Sequence, residues 1–143
     1  MSYVFNPFTG SFESASAGQS SSTVSERLEV IRTANENILK YQPVSLINSV
    51  EVVISDVSSN SLSSVYGIAL NDALATNPVT ILLFGNLDDP LFNFPINTLL
   101  FQSSAGLITD QSTTIVGEFF CSIGKSGGNG SIFIDIGVPT EVF

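Results

Sequence analysis

Residues 114–138, TIVGEFFCSIGKSGGNGSIFIDIGV, contain two runs of β-branched and aromatic residues separated by a segment rich in glycine. In the second run, Ile132, Ile134 and Ile136 alternate with other residues, which is the period of a strand with one buried face. The segment Ser126–Gly130 supplies the Gly and Asn residues whose positive φ angles suit a tight turn. This stretch therefore predicts a β-hairpin.

The rest of the chain from Val44 to Phe143 shows the same alternation of short apolar runs with Ser, Asn, Asp, Gly and Pro, and no further helical period. We therefore expect residues 44–143 to form a small antiparallel β-barrel or sandwich. Gly67 and Gly124 lie inside strand-like runs, where glycine costs stability unless a bend or a close backbone contact requires it. The candidate strands are Val50–Ser55, Ser64–Ala69, Val79–Phe84, Thr98–Phe101, Thr114–Ile123 and Ser131–Val138.

Seven phenylalanines in this region are numerous enough to fill a small core or a subunit interface. They are Phe84, Phe92, Phe94, Phe101, Phe119, Phe120 and Phe133.

Residues 23–43 predict a helix, because Thr23 and Glu26 have the spacing of a capping box and Pro43 would end a helix that begins there. Apolar and amide residues recur in this segment at steps of four and three, as in a coiled-coil seam that favours a homotrimer. The alternative is an amphipathic helix that packs on the β domain. The predicted seam comprises Val24, Leu28, Ile31, Asn35 and Ile38.

Residues 1–22 combine an aromatic, turn-forming start with a run of Ser, Ala, Gly and Gln that lacks periodicity. This composition favours an extended docking peptide on a flexible tether, whose rings insert into another subunit. The alternative is an arm that folds back on the chain's own β domain. The predicted anchoring residues are Tyr3, Phe5, Asn6, Pro7 and Phe8.

The charge distribution limits the classes of partner. The chain carries a formal charge of −9, and after Val44 only Lys125 stands against nine carboxylates. So acidic a surface does not favour binding to nucleic acid or to an anionic membrane. The start of the sequence lacks the features of a signal peptide, and no apolar run approaches the roughly 20 residues that span a bilayer. We therefore expect the protein to be made and assembled in the cytoplasm, without membrane insertion.

The side chains that usually perform catalysis are scarce. The chain has no histidine and a single cysteine, Cys121, which is expected to be a small buried residue. The carboxylates have neither a spacing that favours a glycosidase pair nor the ligand spacing of a calcium loop, and Asp88–Pro90 is more simply a turn. The sequence therefore predicts no enzyme, no metal and no cofactor.

Two parts of the sequence resemble a known family. The start, MSYVFNPFTG, closely resembles the N-terminal peptide of many tail-fibre and related virion proteins of tailed phages, notably phages of cyanobacteria and other aquatic bacteria. Between residues 65 and 139, VYGIALNDALA, LLF, GLITD and SIGKSGGNGSIFIDIGVP resemble a small β domain of phage fibre and head-decoration proteins. GLITD stands where GxLTD is common, and SIGK stands where a VGxA-like run is expected.

The resemblance implies a structural protein of the virion. As a short trimeric tail fibre, the chain would attach to the baseplate or tail through its N-terminal peptide and meet a host surface glycan through loop tips at residues 86–94 and 127–129. Three weak sites would then bind together with higher avidity. As a capsid decoration protein, it would instead stabilise the head. The order of anchor, tether, helix and β head favours the fibre, in which the receptor-facing residues would be Asn86, Asp88, Asp89, Asn93 and Asn129.

Overall fold

The computed structural model describes the backbone of residues 2–6 and 11–15 and the whole of residues 27–143. All regular elements in these ranges are strands. The prediction of a mainly β protein is therefore confirmed. Within this part of the chain, nothing helical is long and apolar enough to cross a membrane.

The N-terminal region contains an antiparallel pair of strands. Strand β1 (Ser2–Asn6) pairs with β2 (Ser11–Ala15), and Phe5 lies opposite Phe12. Of the predicted anchoring residues, Tyr3, Phe5 and Asn6 belong to β1, whereas Pro7 and Phe8 lie outside the described residues. Their role as an anchor stays a prediction.

Nine further strands form one sheet. They are β3 (Leu28–Ala34), β4 (Pro43–Leu46), β5 (Glu51–Ile54), β6 (Gly67–Ala69), β7 (Pro78–Asp88), β8 (Leu99–Gln102), β9 (Ile108–Thr109), β11 (Ser122–Gly128) and β12 (Ser131–Asp135). Their order in the sheet is β3-β5-β4-β6-β7-β12-β11-β8-β9. All its pairings are antiparallel except that between β3 and β5, and β3 also pairs with β7. A separate short pair consists of β10 (Phe119–Phe120) and β13 (Thr140–Glu141).

The predicted hairpin is confirmed as the β11–β12 pair, in which Gly128 lies opposite Ser131. The predicted strand Thr114–Ile123 is largely wrong, because β11 covers Ser122–Gly128 and, of the predicted residues before it, only Phe119–Phe120 form a strand. Asn129 and Gly130 form the turn of the hairpin with φ angles of 53° and 80°, as a type I′ turn requires at both central positions. Gly124 permits a close approach between the strands, because a Cβ at this position would overlap the carbonyl of Phe133. Gly67 is similarly confined by the Leu82 carbonyl oxygen, 2.5 Å from the place of a Cβ.

The predicted helix is wrong over the described residues 28–42. Strand β3 occupies Leu28–Ala34, and the chain then follows an irregular course to Gln42. A helical seam would place Ile31 and Ile38 on one stripe, yet Ile31 is 65% exposed and Ile38 is 1% exposed. Leu28 and Asn35 are also exposed, and Val24 lies outside the described residues.

Non-local pairing explains why this segment is not helical. A short isolated helix is only marginally stable in water, whereas β-branched residues such as Val30, Ile31 and Thr33 suit a strand. Strand β3 gains partners along β7 and adds parallel pairing with β5. Beyond β3, the amide groups of Ile38 and Tyr41 donate to the carbonyl oxygens of Ala73 and Ala69 over 2.8 Å and 2.7 Å.

The described core consists of two clusters of mainly aliphatic side chains. Adjacent residues of β7 contribute to different clusters, because successive side chains of a strand point to opposite faces. Of the seven phenylalanines expected to fill a core or an interface, only Phe92 is buried, and the other rings lie at or near the surface. One cluster contains Val65, Ile68, Leu82, Leu87, Phe92, Leu100, Cys121, Ile123, Ile132 and Ile134, and the other contains Ala34, Ile38, Val44, Val52, Ala69, Ala73, Val79 and Ile81.

Candidate functional site: the loop cluster beside the β11–β12 turn

Three of the five predicted receptor-facing residues lie in connections at one end of the sheet. Asp89 directly follows β7, Asn93 is exposed in the link to β8, and Asn129 is exposed in the β11–β12 turn. The other two lie in strand β7 instead of a loop, where Asn86 pairs with Phe133 and Asp88 pairs with Ser131. Their side chains are exposed.

The turn packs against the segment that follows β7. The Asp89 amide donates to the Gly130 carbonyl oxygen over 2.8 Å. A Cβ at Gly130 would lie only 2.7 Å from the Asp89 carbonyl oxygen, so a larger residue there would force the two segments apart. The short Asn-Gly turn thus fixes the position of Asn129 relative to the 89–98 link.

Ser126 joins the same two segments from inside. Its buried hydroxyl donates to the Phe94 carbonyl oxygen over 3.1 Å. Its amide donates to the Thr98 carbonyl oxygen and its carbonyl oxygen accepts from the Asn97 amide, each over 2.8 Å. These bonds hold residues 93–96 beside residues 127–129, and the two segments line a cavity of about 600 Å³.

A second cavity of about 260 Å³ lies next to the first, and Phe94 lines both. Tyr41 and Phe92 contribute aromatic rings whose centroids are 4.8 Å apart. The Lys40 ammonium lies 4.8 Å from the centroid of the Tyr41 ring, a distance at which a cation is attracted to a ring face. The remaining lining side chains are aliphatic, namely Leu91, Leu107 and Ile108.

A hydrogen bond between Tyr41 and Asp89 connects this cavity to the end of β7. The Tyr41 hydroxyl donates to Asp89 Oδ2 over 2.6 Å, and the Leu91 amide donates to Asp89 Oδ1 over 2.9 Å. Both bonds lower the pKa of Asp89, and the bond from Tyr41 has the larger effect. The pKa of Tyr41 is raised mainly by burial, and the hydrogen bond to Asp89 raises it further. The carboxylate is therefore held in its charged form by groups of the protein itself.

The backbone of Tyr41 is strained, which is uncommon for a bulky residue. Its φ angle is 72°, in the left-handed region that aromatic residues rarely occupy. Strain of this kind persists only where surrounding contacts impose it, and it is frequent at ligand sites. Here the Tyr41 amide is bound by Ala69 and the Tyr41 hydroxyl by Asp89.

The composition of the two cavities is that of a binding site. Aromatic and aliphatic walls with a few amide groups are typical of sites that hold a ligand by shape and a small number of hydrogen bonds. Cys121 is buried, and burial raises the pKa of its thiol, so it remains protonated at neutral pH. No group of three His, Cys, Asp or Glu side chains within the described ranges could hold a metal ion.

The sequence locates the loop tips of this site but does not reveal Lys40, Tyr41 and Ser126. Lys40 and Tyr41 fall within the predicted helix, and they reach the site through contacts with residues far away in sequence. Ser126 lies in a segment that predicts a turn, although its side chain is buried. In searches of known proteins, neither the family models nor the curated proteins gave a match to this chain.

Proposed function

We propose that this chain is a structural protein of a tailed-phage virion and that it acts as a short tail fibre. Its N-terminal peptide would attach to the baseplate or tail, and its β-rich part, a small barrel or sandwich, would act as a head that contacts the host surface. Support comes from the resemblance of residues 1–10 and of the motifs between residues 65 and 139. The acidic surface also disfavours a nucleic-acid role.

The observation that carries host contact is the pair of neighbouring cavities in the loop cluster. Sugar rings offer an apolar C–H face together with hydroxyl groups. Aromatic rings such as Phe94 can cover the apolar face, and the amides of Asn93 and Asn129 can both donate to and accept from hydroxyls. A host surface glycan is therefore the ligand that we propose, without any catalytic step.

Binding to glycans extracted from the host cell envelope tests this site. We expect the variant Asn93→Ala/Asn129→Gly to bind more weakly, by roughly tenfold for each lost hydrogen bond. Glycine at position 129 keeps the positive φ angle of the turn while it removes the amide. Asn60→Ala, which changes an exposed residue of another loop, is the matched control. Equal binding by the double variant and the control would contradict a glycan site in this cluster.

A capsid decoration protein is the second candidate. One observation favours it: residues 28–42 belong to a sheet and an irregular segment, so the described part of the chain provides no helical stalk to project a head. A decoration protein works by burying shared surface, for which several exposed apolar side chains are suited, among them Leu39, Leu74 and Val138.

Counting copies per virion separates the two candidates. Quantitative mass spectrometry of purified particles of the encoding phage would give the ratio of this chain to the major capsid protein. A small ratio supports a tail fibre. A ratio near that of the capsid subunits supports decoration, and absence from the particle contradicts both.

A further inference from the structure

The large sheet has an outer face that combines exposed apolar side chains with charges of both signs. Asn86 and Asp88 lie on the same side of β7 as Phe84, at the edge of this face. We define the outer face by six residues in two cross-strand rows. Leu28 pairs with Phe84, which pairs with Asp135, and in the next row Phe133 pairs with Lys125, which pairs with Leu99. The alternate residues Ile132 and Ile134 point the other way, into the core.

Several apolar side chains of this face are exposed to solvent. Leu28, Phe84 and Leu99 are 55%, 42% and 52% exposed. The rings of Phe84 and Phe133 meet edge to face, with centroids 5.0 Å apart. Leu99 and Phe133 line a shallow groove of about 470 Å³, so the face is contoured and can receive side chains from a partner.

Two opposite charges flank the same groove. Lys125 is the only cation between residues 44 and 143. It lies opposite Phe133, and Asp135 follows two residues later on the same side of β12, which is a diagonal separation of about 7–8 Å. Across the part of the chain that the structure describes, the one ion pair within 4 Å joins Arg27 to Glu29, so Lys125 and Asp135 have no charged partner there.

We propose that the outer face binds a second copy of this chain across a two-fold axis. In such an interface the same patch occurs on both sides, so Lys125 of each copy can meet Asp135 of the other. The symmetry supplies two ion pairs from one lysine and one aspartate. The apolar side chains of both rows would be buried at the same time, and the phenylalanines Phe84 and Phe133 would lie at an interface instead of in a core.

The size of the face sets the expected strength. With strands about 4.8 Å apart and residues of one face about 7 Å apart along each strand, five strands by two rows cover roughly 300 Å² per copy. This is below the roughly 800 Å² per partner of a standard stable interface, so the dimer should be weak and depend on concentration. Copies that are held close together on a particle would associate more completely than free chains do.

Charge exchange at the two positions tests the proposal by sedimentation velocity over a range of concentrations. We expect wild type to dimerise reversibly, and Lys125→Glu and Asp135→Lys each to dimerise at least tenfold more weakly, because like charges then meet. The decisive sample is an equal mixture of the two variants. Only a two-fold pairing of these positions lets the mixture form a heterodimer. In that heterodimer, position 125 of each variant meets position 135 of the other, and both pairs again have opposite charges. The double variant Lys125→Glu/Asp135→Lys should likewise recover dimerisation.

Lys40→Glu and Glu141→Lys change the net charge by the same amounts away from this face and serve as controls. Circular dichroism confirms that each variant is folded, which is expected because both charged side chains are exposed. A wild-type protein that stays monomeric at high concentration, a trimer, or a mixture that associates no more than its components would overturn the proposal.

Discussion

The β11–β12 hairpin and the segment from Leu28 to Gln42 are held by contacts of very different sequence separation. In the hairpin, Gly124 lies opposite Ile134, and the strands are joined by a two-residue turn. In the segment, Thr33 lies opposite Pro78 and the Tyr41 hydroxyl binds Asp89. The two strands of the hairpin find each other within a few residues of sequence, whereas the segment takes its course through partners about 40 to 50 residues away.

This difference predicts what each region tolerates. A hairpin fixed by backbone contacts is sensitive at the positions where its strands approach most closely. A segment fixed by distant partners is sensitive at the few side chains that reach the core, and tolerant between them.

The largest effect is expected at Gly124. Replacement by valine places a Cβ against the Phe133 carbonyl, so the hairpin strands must separate, and we expect the free energy of unfolding to fall by about 4 kcal/mol or more. Gly127→Ala in the same strand is the control, because its Cβ would meet only ordinary contacts at 3.5 Å and beyond. Urea denaturation measures both variants. Similar midpoints for the two would show that the close approach at Gly124 does not exist.

The second effect distinguishes the observed course of residues 28–42 from a helical seam. Ile38→Ala should cost about 3 kcal/mol of unfolding free energy, because the side chain is fully buried beside Val44 and Ile81. Ile31→Ala should cost no more than about 0.5 kcal/mol, because Ile31 is largely exposed. A seam would make the two losses similar, so equal shifts in the urea midpoint would contradict the strand.

The same contrast explains how far the sequence predicts the structure. The hairpin follows from local chemistry, since Asn129 and Gly130 suit the turn and Ile132 and Ile134 show the strand period. The segment contains signals for a capping box and a heptad-like spacing, but its β-branched residues meet partners in β7 that no local pattern indicates. Non-local pairing therefore overrode the local helix signal.

The residues of the candidate site also differ in whether the local sequence predicts their position. Asn93 and Asn129 could be placed at loop tips, because each lies in a segment with turn-forming residues. Tyr41 could not be found, since its contact with Asp89 spans 48 residues of sequence and depends on the irregular course after β3.

The smallest effect concerns the hydrogen bond between Tyr41 and Asp89, the residue whose amide binds the hairpin turn, and it depends on pH. The pKa of Asp89 is lowered in the folded protein, chiefly by the Tyr41 hydroxyl, so its contribution to stability is complete above its unfolded pKa of about 3.9 and is lost as the pH falls through the folded value. Tyr41→Phe removes this bond. We expect the variant to be less stable than wild type near neutral pH, and the gap between their urea midpoints to narrow as the pH falls below about 4.

The alkaline side gives the opposite sign for Tyr41 itself. Its pKa is raised by burial and by Asp89, so the neutral hydroxyl stabilises the fold below the unfolded pKa of about 10, and this contribution is lost as the pH rises through the folded value.

Tyr66→Phe is the control for Tyr41→Phe, because the Tyr66 hydroxyl accepts from Arg32 and has no part in the bond to Asp89. An NMR titration of the Asp89 carboxyl carbon should show a higher pKa in Tyr41→Phe and an unchanged one in Tyr66→Phe. If Asp89 titrates alike in all three proteins, the segment after β3 is not tied to the end of β7, and the loop cluster loses the contact that aligns its two cavities.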